Sequence, residues 1–172
     1  NVNSVYGLAA IGFKDKYFLD ITARNDWSST LPSTNWSFFY PSVNMSFILS
    51  DIFRLPAAVS YAKLRISAAK AGNDADPYQT QKYYGTSEFA SSGSVETILY
   101  NARLKPEIST SYEAGLDIRF LKNRIGLDFT FYNSETENQI VQVPMNWATG
   151  YSAAFMNSGK VRNRGVEVVL NS

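Results

Sequence analysis

Two carboxylates in one apparent strand, Glu113 and Asp117, are the nearest this sequence comes to an acid/base pair. Glycoside hydrolysis needs carboxyl groups about 5–9.5 Å apart, whereas four residues of extended chain separate their backbones by about 13 Å. A pair assembled across strands stays open, but the sequence nominates none. The other reactive arrangements fail earlier. The chain has no histidine and no cysteine, which removes Ser-His-Asp and Cys-His catalysis, Cys/His zinc sites and any disulfide framework. Asn73-Asp74-Ala75-Asp76-Pro77 opens like a calcium loop but lacks the glycine and terminal glutamate of an EF-hand, so an Asx-type turn explains it better. Gly159-Lys160 lacks the glycine spacing of a phosphate-cradling loop. No catalytic residue, metal or cofactor is expected, and the chain reads as a non-enzyme.

What remains is an interaction surface, and aromatic and charged side chains dominate it. Aromatics make up 15% of the 172 residues, and the net charge is +1 from 16 basic and 15 acidic groups. That balance gives no broad field to hold a polyanion, so nucleic acid is not an expected partner. The absence of thiols suits an oxidising compartment. The opening Asn1-Val2-Asn3-Ser4 lacks a basic segment followed by an apolar core, so an exported product has shed its signal or the chain is an internal piece. No run of about 18 apolar residues occurs, which excludes membrane-spanning helices. A transmembrane barrel escapes that test, because it hides its apolar half in alternate positions.

Alternation is what the sequence shows most clearly. From Ile108 to Phe120, the residues Ile108, Thr110, Tyr112, Ala114, Leu116, Ile118 and Phe120 fall on one side, with Ser109, Ser111, Glu113, Gly115, Asp117 and Arg119 on the other. After Leu121-Lys122-Asn123-Arg124 the pattern resumes with Ile125, Leu127, Phe129 and Phe131, which predicts a hairpin of two long strands. An ordinary strand runs about 5–6 residues, while about 9–11 tilted residues cross a bilayer. The same reading predicts eight strands, near 4–13, 17–26, 38–49, 61–72, 106–120, 125–134, 153–161 and 165–171. Tight connections at 14–16, 121–124 and 162–164 alternate with long ones at 26–37, 73–105 and 134–152, and Pro56 suggests a helical turn rather than strand within 51–62. Short turns at one rim and large loops at the other are the habit of outer-membrane barrels. The fold class expected is all-β: an antiparallel up-and-down transmembrane β-barrel segment of about eight strands.

On that reading Asp20, Arg24, Arg65, Glu113, Asp117, Arg119, Asp128 and Glu167 face a polar lumen. The bland alternative is the solvent side of a soluble antiparallel sheet. Tyr17, Phe18, Phe38, Phe39, Tyr40, Phe120 and Tyr132 lie near strand ends, where interfacial girdles form. Trp27, Trp36, Tyr83, Tyr84 and Trp147 fall in the predicted loops, where flat rings can stack on a ligand or pack against a partner.

Several segments together resemble the barrel portion of a SusC-type TonB-dependent outer-membrane transporter, the nutrient importers of Bacteroidetes. They are Lys16 to Asp26 followed by Trp27-Ser28-Ser29, Phe39-Tyr40-Pro41-Ser42-Val43, Lys63-Leu64-Arg65-Ile66-Ser67 leading to Gly72-Asn73-Asp74, Leu104-Lys105-Pro106-Glu107 with Ser111 to Asp117, and Asn157 to Glu167. The resemblance implies a barrel of about 22 strands around a plugged lumen. It implies that residues 1–172 are barrel with no plug domain, set in outer-membrane lipid. It further implies import of a glycan oligomer or a peptide, driven through TonB by a region outside this chain, under a SusD-like surface lipoprotein. Two competing readings are a small closed eight-stranded barrel serving as anchor or adhesin, and a soluble carbohydrate-binding β-sandwich.

Overall fold

The computed structural model describes residues 1–82, 84–86 and 93–172, with 84–86 and 93–95 described as backbone only. Seven long strands form one antiparallel sheet: β1 (Val2–Phe13), β2 (Tyr17–Ser28), β3 (Ser37–Ile48), β4 (Val59–Asn73), β8 (Glu107–Phe120), β9 (Ile125–Glu137) and β12 (Lys160–Asn171). Each runs 12 to 15 residues, more than a tilted crossing of the hydrocarbon needs. The remaining strands are short and sit in the long connections: β5 (Tyr84–Thr86), β6 (Gly93–Val95), β7 (Ile98–Leu99), β10 (Ile140–Pro144) and β11 (Ala153–Asn157). The sheet is open, with β1 and β12 at its two edges.

The short turns all lie at one end. Lys14 and Asp15 both adopt positive φ, and Lys16 N–H donates to the Phe13 carbonyl at 3.2 Å, the backbone of a type I′ hairpin turn. The β3–β4 connection contains the single helical turn Leu49–Ile52, consistent with the break expected before Pro56. Leu121, Lys122 and Asn123 form the second tight turn, tied to the β4 strand start where Lys122 N–H donates to Ser60 Oγ at 2.7 Å. Residues 29–36, 74–106 and 138–159 connect strands at the opposite end.

Two expectations need correcting. Among the described residues the wall has seven strands rather than eight, because 153–161 is not a wall strand, and no turn exists at Arg162-Asn163-Arg164, which lie inside β12. The cause is a kink. Asn138 and Gly159 both adopt left-handed backbone (φ 58 and 82), a conformation that suits asparagine and glycine best. The β9/β12 ladder closes with Glu137 opposite Lys160, and β10/β11 takes over with Ile140 opposite Asn157. The hairpin therefore continues past the rim in a new direction, and β11 pairs with β7 instead of the wall. The weakly patterned first segment, by contrast, is a full strand.

Register sorts the side chains onto two faces. Ile11, Leu19, Met45, Ile66, Ala114, Phe131 and Val166 form one continuous row across all seven strands, and Phe13, Tyr17, Phe47, Leu64, Leu116, Phe129 and Val168 form the next. No second layer among the described residues covers these rows, and Ile66, Phe131 and Val166 stay 45%, 44% and 55% exposed. A β-sandwich would bury this face.

Candidate functional site: a polar wall face under a loop cap

The opposite face is hydrophilic across most of its width. Its central row reads Ala10, Asp20, Asn44, Ser67, Glu113, Tyr132 and Gly165. By the same register, all eight residues expected on the polar side, Asp20, Arg24, Arg65, Glu113, Asp117, Arg119, Asp128 and Glu167, share this face. Edge strand β1 departs from the pattern, since Tyr6 and Leu8 stand opposite Arg24 and Thr22 on the polar side and are 80% and 71% exposed.

Three ion pairs organise the face. Arg24 Nε donates to Asp26 at 2.8 Å, and the hydroxyl of Tyr40 donates to the other oxygen of the same carboxylate. Arg65 reaches past β8 to place one guanidinium nitrogen 2.9 and 2.8 Å from the two oxygens of Asp128. Arg119 lies 3.5 Å from Asp117. Asp117 and Asp128 oppose each other directly, a cross-strand carboxylate pair that the sequence could not nominate, and each is held by its own arginine. Glu113 and Glu167 have no cation partner among the described residues and line a polar recess of about 370 Å³ with Thr130, Tyr132 and Asn163. Asn44, Arg65, Ser67, Glu113, Gly115 and Thr130 line a second recess, of about 180 Å³.

Gly115 is the residue that sequence reasoning missed. A Cβ there would lie 3.0 and 3.1 Å from Arg65 Nη2 and Nε, so the missing side chain opens the path from β4 over β8 to Asp128. The only sequence signal was a glycine inside a strong strand, which marks a bulge or a close approach.

Above this face the long connections fold into one cap. Leu31, Phe38, Ala75 and Leu104 form a small core, with Tyr40, Ile140 and Phe155 packed on it, so all three long loops contribute. Polar clamps tie them further. Ser28 Oγ donates to Asp74 at 2.5 Å and Thr30 Oγ1 to the same oxygen at 3.1 Å. Lys105 N–H donates to Asn157 Oδ1 at 2.8 Å, while Asn157 Nδ2 returns a bond to the Lys105 carbonyl at 2.8 Å. Asp74 thus serves the loop clamp, with no cation-binding arrangement among the described residues.

The aromatic expectations separate. Trp36 and Trp147 are 49% and 68% exposed in the cap region, Trp147 opening a short 3₁₀ turn whose Asn146 side chain accepts from Ala148 N–H. Trp27 is not in a loop: it lies in β2, opposite Ser37, on the face of Leu19 and Ile21. Tyr83 and the side chain of Tyr84 lie outside the described residues. Of the girdle set, Tyr17, Phe39 and Phe120 occupy the apolar face, whereas Phe18, Phe38, Tyr40 and Tyr132 are on the polar one.

Against known proteins, residues 1–172 match the family described as TonB dependent receptor-like, beta-barrel. The chain belongs to that family. TonB-dependent receptor P3 of Formosa agariphila is 29% identical over 177 residues, covering 98% of this chain and 18% of that relative. The RagAB peptide importer in its closed-closed state superposes with a TM-score of 0.89 at 27% identity, over 98% of this chain and 19% of that one. The siderophore receptor PirA from Acinetobacter baumannii, at 22% identity and a TM-score of 0.70, shows the shared fold alone. The chain spans 18% of the Formosa relative, 19% of the RagAB chain and 25% of PirA. As part of a TonB-dependent receptor barrel of the SusC type, it is a wall segment in the bacterial outer membrane.

Proposed function

We propose that this chain supplies wall, lumen lining and outer loops to a transporter that actively imports an oligomeric nutrient. A peptide is the first substrate class to test and a glycan oligomer the second. The observation that carries the reading is the two-faced sheet, apolar on one side and ion-paired on the other, superposing on the RagAB peptide importer. On this reading the Arg65, Glu113 and Glu167 face lines the water-filled interior, and the loop cap turns outward. Energy arrives through TonB acting on a region outside this chain, a SusD-like surface lipoprotein covers the loops, and Trp36 and Trp147 meet the cargo or that lid.

Uptake of fluorescent peptides and of oligosaccharides by cells carrying or lacking the intact transporter tests the reading. Accumulation that requires the transporter and collapses with a protonophore is expected. The Trp36→Ala/Trp147→Ala variant should take up cargo up to about tenfold less efficiently, the usual worth of an aromatic contact. Equal uptake with and without the transporter for both cargo classes would refute the import reading, and unchanged uptake by the double variant would remove the two rings from it.

A further inference from the structure

The apolar face changes character abruptly at its loop end. Beyond Val166 the same face of β12 carries Arg164, Arg162 and Lys160 at successive alternate positions, and the row through Arg162 crosses Glu135 and Thr110 to Lys70 on β4. Facing these groups on the neighbouring strand are Glu135, Glu137 and Asn133. Lys160 Nζ engages both carboxylates, at 2.6 and 3.0 Å, and Arg162 Nε donates to Asn133 Oδ1 at 2.6 Å. The acidic groups are thereby taken up by Lys160. Arg162, Arg164 and Lys70 remain without an ion-pair partner among the described residues.

We infer that this comb binds the phosphate of an anionic lipid headgroup in the outer leaflet. Position is one argument: Arg164 lies two residues before Val166, about 7 Å along the strand toward the loops, which is where the hydrocarbon gives way to headgroups on the loop-bearing side. Chemistry is the other. Forked guanidinium donors match phosphate oxygens, and basic groups bordering a hydrophobic surface are the usual readers of anionic lipid. The surface is continuous with the lipid-facing belt, so the lipid presents its chains to Val166 and Phe131 and its phosphate to the arginines. The inference rests on the membrane reading of that belt.

The intact transporter in phosphatidylcholine nanodiscs, titrated with diphosphoryl lipid A, tests it, with inorganic phosphate as a second titrant. Saturable lipid A binding is expected, weakened roughly thirtyfold in Arg162→Gln/Arg164→Gln and about fivefold in Lys70→Gln. Lysine 70 lies outside β12, so its variant decides the matter if the arginine pair impairs folding. Equal lipid A affinity in the folded variants would overturn the inference, and is the result expected if a following strand's acids pair with these arginines. Equal competition by inorganic phosphate would overturn the lipid assignment. A bimane on Phe131→Cys, quenched by brominated acyl chains, separates the two failures: quenching with no arginine effect rejects the headgroup site alone, and no quenching rejects the membrane reading beneath it.

Discussion

Arg65 and Asp128 are 63 residues apart and separated in space by an intervening strand. Their bridge depends on Gly115 carrying no side chain. Restoring one should push the guanidinium aside, so Gly115→Val is expected to cost about 1 kcal/mol, the worth of a partly exposed ion pair, plus whatever strain repacking adds. Urea unfolding of the reconstituted transporter measures the loss. A double-mutant cycle with Asp128→Asn gives the sharper result: the two costs should overlap rather than add, because both remove one interaction. Simple additivity would show that Gly115 matters for another reason. Similar geometry governs Gly72 and Gly165, where a Cβ would lie 2.6 Å from the Phe38 ring and from the Tyr132 hydroxyl.

The strands themselves were legible wherever one face was apolar and the other charged, as in Ile108 to Phe120, because a one-residue slip would exchange the two faces. β1 gave a weak pattern since Tyr6 and Leu8 put apolar groups on its polar side. β12 was disguised at Arg162-Asn163-Arg164, whose composition imitates a turn while its backbone stays paired with Glu135, Ser134 and Asn133. The candidate site was legible as a face but not as a set of bonds. Arg24 with Asp26 and Arg119 with Asp117 are neighbours two residues apart on one strand, but the Arg65–Asp128 bridge depends on strand order, which nothing local in the chain encodes. The loop cap was the least legible, for its core draws Leu31, Ala75, Leu104 and Phe155 from segments far apart in the chain. Leu104 is fully buried there, and Leu104→Ala should cost about 2–5 kcal/mol of local stability. Hydrogen exchange is expected to rise in 29–36 and 138–159 together, with β8 and β9 unaffected. Faster exchange confined to the segment around Leu104 would mean that the loops do not act as a unit.

Taken as a body, the seven strands form a curtain with a lipid-ready front and an ion-paired back, and its two edges present unpaired backbone groups. Each such group costs several kcal/mol in hydrocarbon. Relatives over five times this length, of which the chain covers 18%, fit the proposal that a larger barrel pairs those edges. The central claim is that Ala114, Leu116 and Ile118 look into lipid while Glu113, Gly115 and Asp117 look inward. Because the chain has no cysteine of its own, nitroxide labels placed singly at 112–119 in the intact, reconstituted transporter report each position's surroundings. Oxygen accessibility should peak at every even position and fall at every odd one, with the water-soluble nickel chelate showing no such preference for the even positions. Oxygen accessibility that is low at Ala114, Leu116 and Ile118, or that shows no two-residue period, would contradict the account.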